Sequence, residues 1–216
     1  MSGSRGFFYD NCRSADRLAR EYTVRSGNAP VVYLDGSRLC YRWTGTAAVL
    51  VDHRMTLQSF VPSGTYELSV LFRKNVPSFP TAGSFFTYYA FRDINNYYWT
   101  AFLDAVFFSR IVGGVSFGTF IQPYVPTLVD STWYNVKIRH GSTTEFIKWW
   151  QLGTAEPNWI YTSDTTGTAG GSERPMRKKM PAGAGYFGIG VRTYAVGEWA
   201  EVSDIRITPI RKVGGP

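Results

Sequence analysis

The chain has 216 residues and a formal net charge of +7 at pH 7, and 44% of its residues are hydrophobic and 17% aromatic. This length suits one large β domain, and the 22 glycines and 11 prolines indicate many turns. The composition excludes a disordered chain. No apolar run reaches the roughly 18 residues of a membrane-spanning helix, so we expect no membrane insertion.

The positive charge is spread evenly along the chain. Residues through Phe108 include 11 basic and 8 acidic side chains, a difference of +3, and the remainder includes 12 and 8, a difference of +4. The surplus is compatible with nucleic acid, anionic lipid or an acidic glycan as a partner. No half is a dedicated basic arm, so we interpret the surplus as ordinary surface charge and expect no nucleic-acid partner.

Cysteine content and the N-terminal sequence both bear on where the protein folds. Cys12 and Cys40 are the only cysteines, too few for a disulfide framework, so we expect two reduced thiols, with one bridge between them as the alternative. The sequence MSGSRGFFYDNCRSADRLAR lacks the apolar segment of a secretory signal. We therefore expect a protein that is made and folded in a cytoplasm.

The first third of the chain has the patterns of one short helix and several strands. Ser14 is a suitable cap for a helix of one or two turns, in which Leu18 and Tyr22 share a face. Asp35-Gly36 lies between apolar runs and predicts a hairpin. Strands are predicted over Val31 to Leu34, Arg38 to Trp43, Ala47 to Val51, Met55 to Phe60 and Thr65 to Arg73.

We expect the fold to be organised around a β-hairpin in the stretch from Ser84 to Asp104. The turn formers Asp93 to Asn96 separate two ring-rich runs. Alternation places rings on both faces, with Phe85, Thr87, Tyr89 and Phe91 on one face and Phe86, Tyr88, Ala90 and Arg92 on the other. Such a hairpin is either covered on both faces or presents rings to a partner.

The second half predicts further strands and one long loop. The strands fall in Ile111 to Gln122, Thr132 to His140, Glu145 to Gln151, Tyr186 to Tyr194 and Glu198 to Pro209, the last with an irregularity at Ser203-Asp204. In the second of these, Tyr134, Val136 and Ile138 should face the core. We find no repeat or linker, and predict a single domain over residues 1–216 with a short N-terminal arm and a basic C-terminal tail.

The predicted loop is Thr162 to Gly185, which is rich in Ser, Thr and Gly and carries the basic run Arg174 to Lys179. A loop of this length inside a compact domain is either functional or mobile. We interpret the basic run as a solvated segment, with binding of phosphate or an acidic glycan as the alternative.

Several segments resemble the concanavalin A-like lectin and glucanase superfamily, particularly its laminin-G-like jelly rolls. They are FRDINNYYW (Phe91 to Trp99), TWYNVKIRHG (Thr132 to Gly141), GYFGIGVRT (Gly185 to Thr193), AEVSDIRI (Ala200 to Ile207), the N-terminal FFYDN and DGSRLCYRW (Asp35 to Trp43). The resemblance implies an all-β fold, a two-sheet antiparallel jelly-roll sandwich, with one concave sheet often used for sugar or protein contact. The many short alternating strands agree with this fold.

Glycosidases of this superfamily use carboxylates at alternate positions of one strand, and no such set is evident in the chain. The nearest arrangement is Glu198, Glu201 and Asp204, but residues three apart in a strand point to opposite faces. We therefore predict no catalytic residue and no enzymatic activity, and interpret Asp204 as a turn or bulge residue.

No metal site is evident in the sequence. His53 and His140 have no acidic or thiol neighbour at metal-ligand spacing. Lectin-like sandwiches often hold calcium, and Asp10, Asn11 and Asp204 could supply oxygens, but no loop has the usual density of acidic ligands. We predict neither a metal nor another cofactor.

The aromatic side chains are the strongest candidates for a binding role. Flat rings exposed on a sheet stack on sugar faces and anchor protein interfaces. Trp149 and Trp150 are adjacent in a presumed strand, so one of the two should point outward. Most rings should fill the core, but we expect a few residues to reach a glycan or protein partner, namely Tyr88, Arg92, Tyr98, Trp99 and Trp149.

These observations favour a non-catalytic virion protein of a bacteriophage, on the tail or capsid surface. A lectin-like fold without a secretion signal is expected there, because phage particles assemble in the host cytoplasm. The predicted partners are other virion proteins and copies of the chain itself, with a host-surface glycan as an additional candidate. The alternatives are a stand-alone carbohydrate-binding module and a divergent glycoside hydrolase or lyase.

Overall fold

The computed structural model describes residues 7–46, 49–58, 66–75, 85–102, 106–122, 128–140, 145–161 and 186–210. The first elements are β1 (Phe8–Asp10), α1 (Ala15–Glu21), β2 (Tyr22–Ser26), β3 (Val31–Asp35), β4 (Arg38–Thr44), β5 (Val51–Leu57), β6 (Tyr66–Asn75) and β7 (Phe85–Asp93). They are followed by β8 (Asn96–Phe102), β9 (Val106–Val112), β10 (Val115–Gln122), β11 (Tyr134–His140), β12 (Glu145–Gln151), β13 (Ile160–Tyr161), β14 (Tyr186–Thr193) and β15 (Trp199–Pro209). Within these ranges, no helix combines the length and the apolar character needed to cross a membrane.

The strands form two antiparallel sheets. The eight-stranded sheet has the order β13-β12-β11-β6-β15-β4-β3, and β1 pairs with the C-terminal half of β15. The seven-stranded sheet has the order β10-β9-β8-β7-β14-β5-β2. The chain passes repeatedly from one sheet to the other, so neighbouring strands within a sheet are often distant in sequence. The predicted all-β, two-sheet antiparallel sandwich is confirmed.

The core lies between the sheets and follows the period of two that a half-buried strand requires. Tyr134, Val136 and Ile138 of β11 are 7%, 0% and 0% exposed, as their alternation predicts. Val136 lies opposite Val70 of β6, and Ile138 lies opposite Leu68. Register therefore carries the same buried face from one strand to the next.

Strand β15 lies in the interior of the eight-stranded sheet, between β6 and β4. It pairs with β6 along its length and with β4 over Trp199 to Val202. Its register with β6 shifts between Ser203 and Arg206, and Asp204 has a φ of 51°. This bulge confirms the predicted irregularity, and it allows both Val202 and Ile205 to face the core.

The helix and the Asp-Gly hairpin form as predicted. Ser14 caps α1, because its Oγ accepts a hydrogen bond from the Arg17 N–H at 3.2 Å. Strands β3 and β4 pair around the Asp35-Gly36-Ser37 turn, in which Gly36 has a φ of 57°.

Strand β5 corrects one prediction, since it replaces the two strands expected over Ala47 to Val51 and Met55 to Phe60. The predicted bounds left residues 52–54 between the two strands, but Asp52 and Arg54 are the outward residues of one continuous strand. Within the described ranges, the strand ends at Leu57. The predicted loop Thr162 to Gly185, with its basic run, lies outside the described residues.

The β7–β8 hairpin is confirmed, but its alternation changes phase near the turn. The register shifts between Tyr89 and Asp93. Phe85 is 0% exposed in the main core, whereas Phe91 stacks on Tyr97 in a separate cluster, with ring centroids 5.6 Å apart. Phe91 therefore does not share a face with Phe85 as strict alternation predicted, because the bulge inserts extra residues between them.

The segment after β1 is fixed to the core by a buried carboxylate. Asp10 is 0% exposed and accepts hydrogen bonds from the Cys12 N–H at 2.9 Å and the Tyr41 hydroxyl at 2.8 Å. Cys12 and Cys40 are both free and buried, as expected. Burial raises the pKa of both thiols, to about 12 for Cys40, so neither is a thiolate at neutral pH.

His53 fastens the loop after β2 to the seven-stranded sheet. Its ring is 0% exposed, and its Nδ1 accepts a hydrogen bond from the Asn28 N–H at 2.9 Å. The neutral ring therefore carries its proton on Nε2, which lies 2.9 Å from Thr193 Oγ1. Burial lowers the pKa of His53 below its usual 6.5, although the Asp52 carboxylate opposes the shift.

The free energy of unfolding should fall as the pH drops from 7.5 to 5.5. The unfolded chain takes up a proton on His53 near pH 6.5, whereas burial of the ring lowers its pKa in the folded chain. Nδ1 also accepts the Asn28 N–H and has no free lone pair for a proton. Urea unfolding at both pH values measures this loss. His53→Gln should be less stable at pH 7.5 but change less with pH.

The second histidine of the chain supplies the control, since His140→Gln leaves the His53 contribution in place. It should keep the pH dependence of the wild type. An equal pH dependence in His53→Gln and wild type would show that His53 is not responsible.

Candidate functional site

A cluster of rings and arginines lies on the outer face of the seven-stranded sheet, separate from the main core. We call it the Arg–aromatic face. Its members are Arg25, Arg54, Phe91, Tyr97, Trp99, Ile111 and Tyr186. It is the outer face because Arg54 alternates along β5 with His53 and Met55, both of which are fully buried toward the core.

Cation–π contacts connect the members of this face across the sheet. The Arg25 guanidinium lies 5.8 Å from the centroid of the Phe91 ring and 5.4 Å from that of Tyr186. Phe91 stacks on Tyr97, and the Arg54 guanidinium lies 5.2 Å from the Tyr97 centroid. These contacts hold the rings and the cations in fixed relative positions.

A carboxylate clamped by two arginines borders the rings. Asp52 accepts hydrogen bonds from Arg192 Nε at 2.5 Å and Nη2 at 3.1 Å, and from Arg54 Nη2 at 3.0 Å. Burial by itself would raise the pKa of Asp52, but the hydrogen bonds and charges of the two arginines outweigh it and lower the pKa. Asp52 is therefore ionised at neutral pH, and polar groups of both charges meet beside the rings.

Two glycines of β14 make room for the long side chains of this face. Gly188 and Gly190 occupy positions opposite Thr56 and Arg54 of β5. A Cβ on Gly188 would lie 2.5 Å from the Met55 carbonyl oxygen, closer than a real Cβ contact. Both glycines are nevertheless buried. Neighbouring side chains therefore lie over β14, as the contact between Arg54 of β5 and Tyr97 of β8 requires.

The predicted binding residues divide between this face and the core. Trp99 lies half-buried on the Arg–aromatic face, and Arg92 is exposed near the tip of the hairpin. Tyr88 lies opposite Trp99 in the β7–β8 register, and Tyr98 lies opposite Tyr89, but their side chains are outside the described part of the chain.

Trp149 does not belong with the other predicted binding residues. It is 4% exposed and packs in the main core, because the alternation of β12 turns Ile147 and Trp149 inward. That burial excludes contact with an external partner and corrects the prediction. Trp150 is the outward ring of the pair, in agreement with the expectation that one of the two points outward.

Sequence reasoning missed the charged half of the site. Asp52 and Arg192 are 140 residues apart in the chain, and antiparallel pairing of β5 with β14 places them directly opposite each other. The available signal was the alternation of Asp52 and Arg54 with His53 and Met55, which marks a strand with a charged outer face. The predicted strands ended at Val51 and began again at Met55, so the alternation across residues 52–54 was not used.

The outer face of the eight-stranded sheet also carries rings, but cations cover them. We call this surface the stacked face. Its first stack alternates aromatic and basic side chains with centroid distances from 3.3 to 5.6 Å, in the order Tyr33, Arg42, Trp199, Arg73, Trp133 and Arg38. Two guanidinium groups contact each of the two tryptophan rings, so these rings are less open to a sugar than an uncovered ring would be.

A second stack follows the same pattern on β11, β12 and the segment before β13. Its members are Lys137, Trp150, Lys148, Trp159 and Arg139, with centroid distances from 4.3 to 5.8 Å. Glu156 bridges Lys137 at 2.9 Å and Lys148 at 2.5 Å. The amino groups are thus committed to rings and to a carboxylate within the chain.

Glu201 accepts hydrogen bonds from two arginines of the first stack, Arg42 and Arg73. Although it lies on the outer side of β15, it is 0% exposed. Its Oε1 accepts from Arg42 at 2.5 Å, and its Oε2 accepts from Arg73 Nε at 2.9 Å and Nη2 at 2.5 Å. The carboxylate is therefore a structural anion between two cations and has no access to a substrate.

The two neighbouring acids examined for catalysis are also engaged in structure. Glu198 Oε2 accepts hydrogen bonds from the Tyr194 and Ala195 N–H groups at 3.0 and 2.9 Å and so closes the β14–β15 turn. Asp204 accepts from the Tyr9 hydroxyl at 3.0 Å and Arg38 at 2.8 Å. Among the described residues, no group of three His, Cys, Asp or Glu side chains could hold a metal ion.

The two acids that bridge cations on the stacked face should differ sharply in their effect on stability. Glu201→Gln leaves two arginines close together without their buried counter-charge and should lower the free energy of unfolding by about 3 kcal/mol. Glu156→Gln makes the same chemical change in a half-exposed pair and should cost about 0.5 kcal/mol. Urea unfolding followed by tryptophan fluorescence measures both values. Equal costs would refute the structural role assigned to Glu201.

Comparison with known proteins identifies the fold. No family model matches the chain, and no curated protein matches it. The solved legume lectin-like domain of Entamoeba histolytica is similar, with a TM-score of 0.60 and 11% identity over 98% of this chain and 100% of that chain. The carbohydrate-binding module CBM66 of Bacillus subtilis gives a TM-score of 0.52 and 13% identity over 88% and 96%.

A third structure, the VIP36 exoplasmic/lumenal domain in its Ca2+/Man-bound form, gives a TM-score of 0.60 and 10% identity over 90% of this chain and 84% of that chain. At such identities the likeness concerns the fold alone. The chain has the jelly-roll sandwich fold of legume-lectin-like and carbohydrate-binding-module structures.

Proposed function

We propose that the chain is a non-catalytic carbohydrate-binding domain that holds a glycan on its Arg–aromatic face. The observation that carries this proposal is the exposed ring of Tyr186. It shares the outer face of the seven-stranded sheet with the charged network of Asp52, Arg54 and Arg192. Glycan sites combine rings that stack on sugar faces with fixed polar groups that bond hydroxyls.

The exposure of Tyr186 distinguishes it from the tryptophans of the stacked face. Tyr186 is 39% exposed, and Arg25 is its cation–π partner at 5.4 Å. Trp199, in contrast, contacts two guanidinium groups, at 4.6 and 4.8 Å from its ring centroid, and both are paired with the buried Glu201. A sugar can therefore approach Tyr186 without displacing a buried ion pair.

The polar groups of the face are suited to hydroxyl recognition because they are already oriented. Asp52 holds Arg192 through two hydrogen bonds, and Arg25 Nε donates to Thr56 Oγ1 at 2.9 Å. Groups fixed before binding lose little conformational entropy when the ligand arrives. Their mixed charge suits neutral hydroxyls better than a strongly charged ligand.

The non-catalytic part of the proposal is supported by the use made of the candidate acids. Glu198, Glu201 and Asp204 are each bound by donors of the chain itself. Glu201 and Asp204 belong to the eight-stranded sheet, and Glu198 belongs to the β14–β15 turn. The lectin and carbohydrate-binding-module neighbours support the same function by analogy of fold.

Assignment to a bacteriophage virion is a narrower proposal that rests on the sequence argument alone. It requires assembly with copies of the chain or with other virion proteins through interfaces well above about 1,000 Å². Light scattering on the purified protein tests self-assembly, and mass spectrometry of purified particles tests incorporation. A glycan-binding monomer that particles lack would favour the stand-alone module.

A matched pair of exposed tyrosines tests the proposed face. Tyr186 and Tyr33 are 39% and 37% exposed, and they lie on the outer faces of opposite sheets. After a glycan array identifies a ligand, Tyr186→Ala should weaken its binding by about tenfold, roughly 1.4 kcal/mol, because it removes the stacking ring. Tyr33→Ala should leave binding unchanged, and calorimetry measures both.

Trp99→Ala provides a second test on the same face and should remove most of the binding. The ligand should also remain intact during prolonged incubation with the wild-type protein. Loss of binding in Tyr33→Ala alone would move the site to the stacked face. Release of reducing sugar would refute the non-catalytic assignment.

A further inference from the structure

A polar cavity lies at the bulge of β15, on the opposite sheet from the Arg–aromatic face. Its volume is about 150 Å³. Three segments enclose it: the residues that follow β1, the turn between β3 and β4, and the bulge itself. The polar side chains that line it belong to Asn11, Arg13, Ser37, Arg38, Ser203 and Asp204.

The backbone on two sides of the cavity has an unusual conformation. Cys12, between Asn11 and Arg13, has a φ of 58°, and Asp204 has a φ of 51°. Residues other than glycine adopt such values only where their surroundings impose them, and such residues concentrate at functional sites. Here the Asp10 carboxylate holds the Cys12 N–H, and the Tyr9 hydroxyl and Arg38 hold Asp204. The cavity walls are therefore fixed before any ligand binds.

Several lining groups are available to a ligand. Within the described part of the chain, the side chains of Asn11, Arg13 and Ser37 make no hydrogen bond or ion pair. Arg38 uses Nη1 for Asp204 and rests on the Trp133 ring at 5.6 Å. The cavity thus offers hydroxyl, amide and guanidinium groups together.

The charges of the lining define the kind of ligand. Arg13 and Arg38 contribute two positive charges, and Asp204 contributes one negative charge. The net positive charge disfavours a metal cation and favours a carboxylate, which guanidinium groups bind in charge-assisted pairs. Asp204, Asn11 and Ser37 are in turn suited to hydroxyl groups.

We propose that this cavity binds an acidic monosaccharide, a sugar ring that carries one carboxylate. Arg13 and Arg38 bind the carboxylate, and Asp204, Asn11 and Ser37 bind ring hydroxyls. The cavity volume accommodates one sugar residue and does not extend to a long chain. The proposal does not rest on the Arg–aromatic face, because the two sites share no residue and lie on different sheets.

Calorimetry with glucuronic acid, glucose and acetate tests the ligand class. Glucuronic acid should bind more tightly than either of the other two, because it alone combines the carboxylate with the hydroxyls. Arg13→Ala should weaken glucuronic acid binding by about tenfold, as expected for the loss of one charge-assisted bond. Arg20→Ala removes an equal charge from exposed α1, outside the cavity lining, and should leave binding unchanged.

Asp204→Asn tests whether the cavity recognises the sugar hydroxyls or only attracts the carboxylate, when binding of glucuronic acid and acetate is compared. Asparagine tolerates the positive φ of this position, so the bulge is retained. The variant should lose preference for glucuronic acid over acetate, whereas Tyr186→Ala should keep that preference. Urea midpoints confirm that each variant is folded.

Three results would each overturn the proposal: acetate binding as tightly as glucuronic acid, glucose binding as tightly as glucuronic acid, or Arg13→Ala behaving like Arg20→Ala. Failure of the Arg–aromatic face to bind any glycan leaves these measurements unaffected. The two proposals can therefore fail separately.

Discussion

The eight-stranded sheet depends on neutralising the buried negative charge of Glu201, which lies on the outer side of the interior strand β15. Glu201 of β15 is fully buried, so its desolvation must be compensated by Arg42 and Arg73, which reach it from the strands on either side. The two guanidinium groups that Glu201 binds also contact the Trp199 ring, at 4.6 and 4.8 Å from its centroid. The first stack on this sheet therefore depends on one buried carboxylate, and its rings and arginines stabilise the fold.

The position of the carboxylate distinguishes the ring-bearing outer faces of the two sheets. Both outer faces consist of arginines and aromatic rings around a carboxylate, but the carboxylate is exposed to a different extent on each face. On the eight-stranded sheet Glu201 lies beneath the stack, fully buried. On the seven-stranded sheet Asp52 remains 22% exposed at its side chain, beside Arg192 at 21%. A ligand could therefore contact Asp52 and Arg192 without the free-energy cost of exposing a fully buried charge.

The sequence was sufficient for features that depend on local pattern. Alternation in β11 predicted which residues face the core, and Asp35-Gly36 predicted a hairpin. Features that depend on pairing between distant strands could not be predicted, because the sequence of one strand does not determine its register with another. The pairing of Asp52 with Arg192 and the phase change before Phe91 are both of this kind. Strict alternation also could not decide which of many rings enter the core, as Trp149 shows.

The bulge in β15 shows how an irregularity within a sheet can generate a polar cavity. A regular strand would place residue 204 in the ladder and leave no space beside it. The extra residue instead turns Asp204 into the left-handed region and opens the cavity between the bulge, the β3–β4 turn and the segment after β1. Because Val202 and Ile205 on either side remain buried, the core anchors the strained backbone. The strain is thus supported by packing on one side of the strand, while the polar groups it positions are presented on the other.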